Sequence, residues 1–271
     1  MGQIIKTYKE LNNFYKSFFD RELPFLLLKA RGGLGKSFTI EQEQKKGDIN
    51  ITIFEGKETP LNIYLTLCSR PNDLVVFDDV DELLKNKTIV SLMKQITLNG
   101  EERTIRYGST FKPSQEVLNK YNLKELPPKA TINNKVMLIT NKEPLGDENL
   151  KALLTRGIYI KFEPSNDEVL KVMSKFAKDK EIFNFIGNYK EVIPINFRIY
   201  SNQLLKLKQA GLDWKTYFLE TYKINDVDFL VNDFIRKHKD GLKTKKDALN
   251  FIMNNKGVSK RQAYRLIKDF K

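Results

Sequence analysis

The sequence of 271 residues contains one cysteine, one histidine and one tryptophan. A single cysteine, Cys68, excludes an intrachain disulfide and a metal cluster built on cysteines, and His238 alone cannot form a histidine cluster. These absences favour a reducing, intracellular compartment, in which Cys68 is expected to be a small buried apolar residue.

Long apolar runs are missing as well. No apolar h-region occurs near the N-terminus, so no signal peptide is indicated, and no run approaches the length of a membrane span. Gly2 is present, but Lys6 stands where the myristoylation pattern requires Ser or Thr. We therefore expect no membrane partner and a cytoplasmic location.

Acidic residues are too few to balance the basic ones. The sequence has 47 Lys and Arg against 34 Asp and Glu, which gives a formal net charge of +13 at pH 7. Residues 236–271 contain twelve Lys and Arg but three Asp, so this tail alone has a net charge of +9. Such a balance favours an anionic partner, nucleic acid above all. The alternative is a basic composition that has no partner.

A glycine-rich stretch lies between an apolar run at 25–28 and a segment expected to be helical. Its eight residues are Ala30, Arg31, Gly32, Gly33, Leu34, Gly35, Lys36 and Ser37. Glycines let the backbone turn tightly and direct its N–H groups at a polyphosphate, and the next helix presents its N-terminus to the same anion. Lys36 is expected to reach the β- and γ-phosphates of ATP and Ser37 to bind Mg²⁺, with Phe38 completing the nucleotide-binding segment. Ala30 replaces the usual first glycine, and a turn without a ligand is the alternative.

Polar residues also follow the apolar strands predicted at 74–77 and 136–139. Asp78 and Asp79 end the first strand, and Asn141 ends the second. Because ligands bind at the carboxyl ends of strands in parallel sheets, we expect Asp78 to hold Mg²⁺ through water and Asp79 to orient the attacking water. Asn141 is expected to contact the γ-phosphate or this water. The alternatives are an acidic strand end that caps the next helix and an ordinary turn asparagine.

Strands and helices are predicted to alternate along most of the chain. The predicted strands are 25–29, 51–54, 74–77, 136–139 and 158–161, and the predicted helices are 4–19, 37–45, 60–69, 81–98 and 147–155. This alternation predicts an α/β fold, with a parallel sheet covered by helices on both faces. Within 100–134 we predict a hairpin at 100–109 and a loop at 123–131. After Pro164 the chain is predicted to be helical to about residue 222, and a basic helical unit is predicted from 227.

These segments together resemble the AAA+ ATPases. Residues 30–37, 74–79, 136–141, 153–157 and 197–198 are similar, in this order, to the Walker A, Walker B, sensor 1, arginine-finger and sensor 2 elements of that family. The resemblance covers roughly residues 23–210. The Asp78–Asp79 pair and the stretch that begins at Leu98 are more similar to viral superfamily-three helicases and related phage and plasmid replication ATPases, whereas many other AAA+ proteins carry Asp-Glu.

The resemblance implies roles for two further arginines. Arg156 would be an arginine finger that reaches the γ-phosphate bound by a neighbouring subunit, and Arg198 would contact the nucleotide of its own chain. A finger that acts between subunits implies self-association into an oligomer, most often a hexameric ring. The alternatives are a solvated arginine and a surface salt bridge. We accordingly predict an N-terminal helix at 1–22, a P-loop three-layer AAA+ core at 23–163, an α-helical lid at 164–223 and a basic DNA-binding unit at 224–271.

Two basic segments are candidates for contact with DNA. In the similar helicases a hairpin enters the central channel and contacts the strand backbone, a role that would fall to Arg103 and Arg106. The tail resembles a helix-turn-helix unit, with helix N-caps at Thr244 and Ser259. Its second helix would enter the major groove of DNA. The side chains that it would expose are Lys260, Arg261, Gln262, Tyr264, Arg265 and Lys268. A basic surface hairpin and a three-helix extension of the lid are the alternatives.

Three functions agree with these features. The first is a DNA-dependent ATPase that uses Mg²⁺ and acts on single-stranded or duplex DNA in the replication of a phage or mobile element, as a helicase, helicase loader or initiator. A replicative helicase or another replication protein would be a further partner, and the bacterial host cytoplasm the location. The second is a nucleotide switch of the apoptosis or disease-resistance type, although the long repeat-sensing region of that family is missing. The third is a DNA-binding regulator in which ATP sets the oligomeric state.

Overall fold

The computed structural model describes residues 2–20, 23, 25–56, 58–98, 100, 102–108, 112–143, 148–224, 249, 250, 253 and 254. The chain divides into two compact units, Met1–Pro164 and Ser165–Lys271. None of the helices in the described ranges is both long enough and apolar enough to cross a membrane.

The described part of the first unit alternates between strands and helices. The strands are β1 (Gln3–Ile5), β2 (Phe25–Ala30), β3 (Ile51–Glu55), β4 (Leu74–Asp78), β5 (Arg103–Arg106), β6 (Lys129–Ile132), β7 (Lys135–Thr140) and β8 (Ile158–Phe162). The helices are α1 (Tyr8–Phe19), α2 (Lys36–Lys46), α3 (Pro60–Ser69), α4 (Lys87–Ile96), α5 (Gln115–Asn119) and α6 (Glu148–Leu154). The five predicted strands of the sheet are all present.

Six of these strands form one parallel sheet in the order β1–β8–β2–β7–β4–β3. The strand β2 pairs with both β7 and β8, and β7 separates β2 from β4. Because all the strands run in the same direction, the carboxyl ends of β2, β7 and β4 lie side by side at one edge of the sheet. The predicted α/β fold with a parallel sheet is confirmed.

The central strand shows why the sheet is covered on both faces. Phe25 and Leu27 belong to a core cluster with apolar side chains of α3 and α4. Leu26 and Leu28 alternate with them and are equally buried, so they face the opposite side of the sheet. Cys68 on α3 is partly buried against the same cluster, and burial raises the pKa of its thiol to about 11.

The N-terminal helix is shorter than predicted. Residues Gln3–Ile5 pair with β8 as an edge strand, and α1 begins at Tyr8. The Thr7 hydroxyl accepts from the Glu10 N–H at 3.2 Å, and the Glu10 carboxylate accepts from the Thr7 N–H at 3.0 Å, which is a capping box. The prediction of a helix from residue 4 is therefore wrong, because pairing with β8 overrides the helical spacing of the first apolar residues.

The segment between α4 and β7 also differs from its prediction. The strand β5 pairs antiparallel with β6, so that Arg106 lies opposite Lys129, and α5 lies between the two strands in sequence. The local hairpin at 100–109 is therefore wrong, and the loop predicted at 123–131 contains the start of β6. Tyr64 of α3 holds this segment, since its hydroxyl donates to the Pro127 carbonyl at 2.8 Å and its ring stacks on Tyr107. Because α5 separates β5 from β6 in the sequence, neither strand carries a local signal of its pairing with the other.

The helix predicted at 81–98 is interrupted near its start. Residues Leu83–Lys85 form a 3₁₀ turn, and α4 begins after Asn86. The Asn86 side chain accepts hydrogen bonds from the N–H groups of Thr88 and Ile89 at 2.9 and 3.2 Å. Asparagine is a preferred N-cap residue. The cap therefore starts a new helix at this point, although the apolar residues on either side of it have continuous helical spacing.

The described part of the second unit is helical, as predicted after Pro164. It contains α7 (Asn166–Met173), α8 (Lys180–Asn188), a π-helix (Ile199–Leu204), α9 (Leu205–Gln209) and α10 (Trp214–Thr221). Aromatic rings fill its core, where Phe185 lies 5.0 Å from Trp214 and 5.3 Å from Phe218 between ring centroids. The predicted helix-turn-helix unit and its six DNA-contact residues lie outside the described residues, apart from 224, 249, 250, 253 and 254.

Candidate functional site

The glycine-rich loop joins β2 directly to α2. The strand ends at Ala30 and the helix begins at Lys36. Gly33 and Gly35 have φ angles of 75° and 71°, in the left-handed region that residues with a Cβ rarely adopt. Because Gly35 immediately precedes α2, its conformation turns the chain into the first helical turn. The N-terminus of α2 thus lies at the end of the loop, which is the arrangement that binds phosphate.

Three adjacent strand ends bring five of the predicted residues together. Lys36 and Ser37 follow β2 and the loop, while Asp78 is the last residue of β4 and Asp79 comes next. Asn141 follows β7, the strand that lies between β2 and β4. Residues that are far apart in the sequence are thus neighbours at one edge of the sheet.

Lys36 begins a chain of hydrogen bonds across these strand ends. Its side chain is 8 % exposed, and its Nζ donates to the Ala30 carbonyl and to Asn141 Oδ1, both at 2.7 Å. Asn141 Nδ2 in turn donates to Asp79 Oδ1 at 3.0 Å. A nearly buried ammonium group is costly unless it is paired. These bonds therefore fix Lys36 in place and connect the loop to the other strand ends.

Ser37 and Asp78 form a second contact between the loop and the sheet. The Ser37 hydroxyl donates to Asp78 Oδ2, and both side chains are half-buried. A serine of the loop and an aspartate at this strand end are the protein ligands of Mg²⁺ in P-loop NTPases, where phosphates and water complete the shell. The hydroxyl and carboxylate therefore fit that ion. Among the described residues, no three His, Cys, Asp or Glu side chains form a metal-binding group.

Asp79 has an unusual backbone conformation. Its φ angle is 56°, and the N–H of the next residue, Val80, donates to the Ile139 carbonyl at 3.1 Å. Aspartate enters the left-handed region more readily than most residues, and residues in such conformations cluster at functional sites. The turn leaves the Asp79 side chain exposed, where it is accessible to water.

Asp81 belongs to the site although sequence reasoning missed it. Its Oδ1 accepts from the Thr140 hydroxyl at 2.6 Å, and its Oδ2 accepts from the Asn141 backbone N–H at 3.3 Å. Thr140 is fully buried, so its hydroxyl needs a partner. Asp81 therefore holds the backbone that carries Asn141. The sequence signal that could have indicated such a partner was Thr140, whose hydroxyl lies at the end of an apolar strand.

Two tyrosines of α1 support the glycine-rich loop and were also missed. The Tyr15 hydroxyl donates to the Lys36 carbonyl at 2.7 Å, and the Tyr8 hydroxyl donates to the Leu34 carbonyl at 3.1 Å. Burial, together with the negative charge of Asp78, raises the pKa of Tyr15, so its hydroxyl stays protonated and remains a donor. In the sequence both tyrosines are ordinary members of an apolar helix face.

Glu143 connects the segment after β7 to two neighbouring strands. Its Oε1 lies 2.9 Å from the Nζ atoms of both Lys29 on β2 and Lys161 on β8. These lysines are register partners, so the carboxylate lies between two like charges. Hydrogen bonds from Lys29 and Lys161 hold the pKa of Glu143 below its usual value. Asn141 is thus anchored by Asp81 on one side and by Glu143 on the other.

The remaining predicted nucleotide contacts have different surroundings. Arg156 follows α6 and is half-buried, and its Nη1 donates to the Lys94 carbonyl near the end of α4. Arg198 belongs to the second unit, where it is exposed immediately before the π-helix. Arg31 is exposed in the loop, and Phe38 in the first turn of α2 is 63 % exposed. Both are accessible to a ligand at the loop.

The two arginines of the predicted hairpin lie in opposite environments. Arg103 is 5 % exposed, and its Nη1 and Nη2 donate to the carbonyls of Ile96, at 2.7 Å, and Asn134. Burial lowers its pKa. The prediction that Arg103 contacts DNA is wrong, because its guanidinium is bound to backbone carbonyls inside the fold. Arg106 is exposed at the end of β5 and stays a candidate.

The sequence matches no protein-family model and no curated protein. The fold, however, is similar to solved structures. A point variant of RuvB from Thermotoga maritima has a TM-score of 0.51 at 14 % identity, over 96 % of this chain and 86 % of that one. RuvB of that organism described as a Holliday junction branch migration motor has a TM-score of 0.47 at 15 % identity, over 96 % and 85 %. A DNA replication initiation factor has a TM-score of 0.43 at 14 % identity, over 96 % and 82 %.

The chain has the AAA+ P-loop fold. The six-stranded parallel sheet, its flanking helices and the loop after β2 match that architecture. At 14 % identity the likeness concerns the fold alone. The narrower resemblance to viral superfamily-three helicases stays a prediction.

Proposed function

We propose that this chain binds and hydrolyses Mg²⁺-ATP. The observation that carries the proposal is the cluster of Lys36, Ser37, Asp78, Asp79 and Asn141 at three adjacent strand ends. It combines a backbone site for anions, a nearly buried ammonium group, a pair of Mg²⁺ ligands and an exposed carboxylate. Phosphoryl transfer from a nucleotide to water requires these parts.

Each residue has a distinct role in the proposed reaction. The N–H groups of the glycine-rich loop surround the phosphates, and Lys36 exchanges its bond to Asn141 for the β- and γ-phosphate oxygens. Ser37 would hold Mg²⁺ directly and Asp78 would hold it through water, and the ion would neutralise charge on the phosphate oxygens. Asp79 and Asn141 orient the water that attacks the γ-phosphorus while the bond to the leaving ADP breaks.

We assign Arg156 to the ATP of a neighbouring subunit and Arg198 to the ATP of its own chain. Arg31 and Phe38 border the loop and are proposed to contact the nucleotide. A finger between subunits requires an oligomer, which we propose to be a hexameric ring. Mass in solution with and without a non-hydrolysable ATP analogue tests this proposal. Assembly into one defined ring with the analogue supports it, and a monomer under both conditions contradicts it.

We propose DNA as the partner on grounds of charge. The antiparallel pair of β5 and β6, here named the β5–β6 ribbon, exposes Thr104, Arg106, Lys129 and Thr131, while Ile105 is buried. Arg106 and Lys129 lie directly opposite each other, which is unfavourable for two like charges. An anion bound between them removes that repulsion. Two cations flanked by two hydroxyls fit a phosphodiester backbone.

The basic tail at 224–271 is the second proposed contact, a helix-turn-helix unit for duplex DNA. We further propose that the ATPase acts in the DNA replication of a phage or mobile element, in the cytoplasm of the host. A replicative helicase or another replication protein would be its partner. This part of the proposal rests on the sequence resemblance.

An ATP-controlled DNA-binding regulator with little motor activity is the second candidate. The observation that favours it is the concentration of charge in the tail, +9 of the total +13. In that case ATP would set the oligomeric state, and hydrolysis would be unnecessary for the action on DNA.

The substitution Asp79→Asn separates the two candidates. It keeps the size of the side chain and removes the charge that orients the water, so ATP binding should persist while kcat falls by about 10²–10⁴-fold. The measurements are ATP affinity, turnover, and unwinding or loading of DNA. Unwinding or loading that persists without turnover would show that ATP is an assembly ligand, and the regulator would replace the motor.

A further inference from the structure

The last turn of α4 receives side chains from two other parts of the fold. The Arg156 guanidinium donates to the Lys94 carbonyl, and the Arg103 guanidinium donates to the Ile96 carbonyl at 2.7 Å. Carbonyl groups in the last turn of a helix lack helical partners and form the negative end of its dipole, so they attract cations. One helix end therefore holds both the proposed finger and an arginine of β5.

Gln95 in the same turn contacts the backbone of β5. Its Oε1 accepts from the Arg106 N–H at 2.7 Å, and its Nε2 donates to the Arg106 carbonyl at the longer distance of 3.5 Å. The carboxamide thus pairs with β5 as a neighbouring strand would. Arg106 is the residue that we propose to contact DNA, and Gln95 is adjacent to Lys94, whose carbonyl holds Arg156.

We propose that the last turn of α4 transmits the binding of DNA from Arg106 to Arg156, and that Gln95 is the positioning residue of this link. The inference rests on the proposed function. An anion bound between Arg106 and Lys129 displaces β5, and Gln95 passes that displacement to α4. The Lys94 carbonyl moves with the helix end and releases Arg156 for the ATP of the neighbouring subunit.

The anchoring of β5 supports a mechanical link between this strand and the end of α4. Arg103 at its first position is buried, and it bonds to the Asn134 carbonyl just before β7 as well as to α4. The first residue of β5 is therefore tied both to the segment before β7 and to the last turn of α4, and closely packed interiors transmit strain. The other end carries Arg106, whose side chain is exposed and whose backbone bonds to Gln95. A pull on Arg106 thus acts on the helix end through Gln95.

The test is the stimulation of ATP turnover by single-stranded DNA in the full chain, expressed as kcat with DNA divided by kcat without it. Gln95→Leu removes both bonds to Arg106, and Gln95→Glu keeps the acceptor for its N–H. Gln115→Leu is the matched control, because Gln115 is exposed on α5 and bonds to Asn119 of the same helix.

We expect Gln95→Leu to reduce the stimulation by about 2- to 30-fold, the range found for residues between coupled sites. Basal kcat and KM for ATP should stay at their wild-type values, which a general loss of structure would change. Gln95→Glu should retain most of the stimulation, and Gln115→Leu should retain all of it.

Each result that contradicts the proposal overturns a different part of it. Equal stimulation in the wild type and Gln95→Leu would overturn the link and leave the proposed ATPase and its DNA contact intact. Equal loss in Gln95→Glu and Gln95→Leu would overturn the role of the bond to the Arg106 N–H. A wild type that DNA does not stimulate would overturn the link together with the DNA dependence of the proposed function.

Discussion

Asn141 makes two hydrogen bonds of opposite direction, and both depend on its carboxamide. Its Oδ1 accepts from Lys36 and its Nδ2 donates to Asp79. An aspartate in its place could not donate to Asp79 and would add a second negative charge beside it. Because Asp81 and Glu143 hold the backbone on either side, the side chain of Asn141 can exchange Lys36 for a phosphate while the strand end stays in position.

Arg156→Ala tests the proposed finger. The substitution should leave ATP affinity nearly unchanged and lower the kcat measured with single-stranded DNA by about 10³–10⁵-fold, the range for an arginine finger. The measurements are nucleotide binding at equilibrium and steady-state turnover. Arg70→Ala is the matched control, since Arg70 lies before β4, away from the carboxyl ends of the strands, and should keep wild-type turnover. Turnover retained in Arg156→Ala would place the finger elsewhere.

Glu143 gives the stability of the fold a defined dependence on pH. Its pKa in the folded chain is held below the ordinary value of 4.5 by hydrogen bonds from Lys29 and Lys161. Its contribution to stability is therefore present above the ordinary pKa and is lost as pH falls through the folded pKa. Glu143→Gln should lower Tm most at pH 7, and the difference from the wild type should shrink as the pH falls below 4.5.

Thermal unfolding of both proteins over that pH range is the measurement. Glu116→Gln is the control for the loss of a negative charge, because Glu116 is largely exposed and lies 3.9 Å from Lys120. A surface ion pair of this kind contributes little, so Tm should change little. A difference between Glu143→Gln and the wild type that stays constant across the pH range would contradict the assignment.

At the level of strands, β8 can lie against β2 because the residue before β8, Gly157, has no Cβ. A Cβ at Gly157 would lie 2.5 Å from both the carbonyl oxygen and Cδ1 of Phe25. The carbonyl belongs to an inner strand and cannot move aside. We expect Gly157→Ala to lower the free energy of unfolding by about 1–3 kcal/mol, as overpacking does.

Chemical denaturation measures that change. Gly108→Ala is the matched control in the same unit, because a Cβ there would have nothing within 4 Å, and it should not destabilise the fold. Equal stabilities of Gly157→Ala and the wild type would show that β2 and β8 can separate without cost.

Most strands of the sheet could be predicted because their signals are local. The apolar runs at 25–28, 74–77 and 136–139 each specify burial by their own composition, and polar residues mark where two of them end. The pairing of β5 with β6 could not be predicted, because it joins segments on either side of α5. The same holds for the edge strand β1, whose apolar residues also fit a helix.

In the candidate site, the sequence predicts the residues that carry the chemistry but not the residues that support them. Lys36, Ser37, Asp78 and Asn141 follow from motif spacing, since their chemistry needs those residue types at those places. The supporting bonds from Asp81 and the two tyrosines of α1 could not be predicted, because they join common residue types to backbone or hydroxyl groups that only the fold brings near.

For the chain as a whole, the uneven charge leads to a prediction about the tail. Deleting residues 225–271 should weaken binding to duplex DNA more than it lowers basal ATP hydrolysis. The slope of log affinity against log salt concentration should also become shallower, because fewer phosphates are neutralised. Fluorescence anisotropy with labelled duplex over a range of salt concentrations measures both effects.

A full-length variant with Lys260, Arg261 and Arg265 replaced by Gln separates the loss of charge from the loss of chain. It should reproduce most of the change in salt dependence while keeping the length of the protein. Equal duplex affinity in the wild type and the deletion would contradict a role of the tail in binding DNA.

The decisive measurement is steady-state ATP hydrolysis by the full chain in Mg²⁺, without DNA, with single strands and with duplex, beside Asp79→Asn. We predict Mg²⁺-dependent turnover that single-stranded DNA stimulates and that Asp79→Asn loses. No hydrolysis under any condition, or the same rate in Asp79→Asn, would contradict an ATPase site at the ends of β2, β4 and β7.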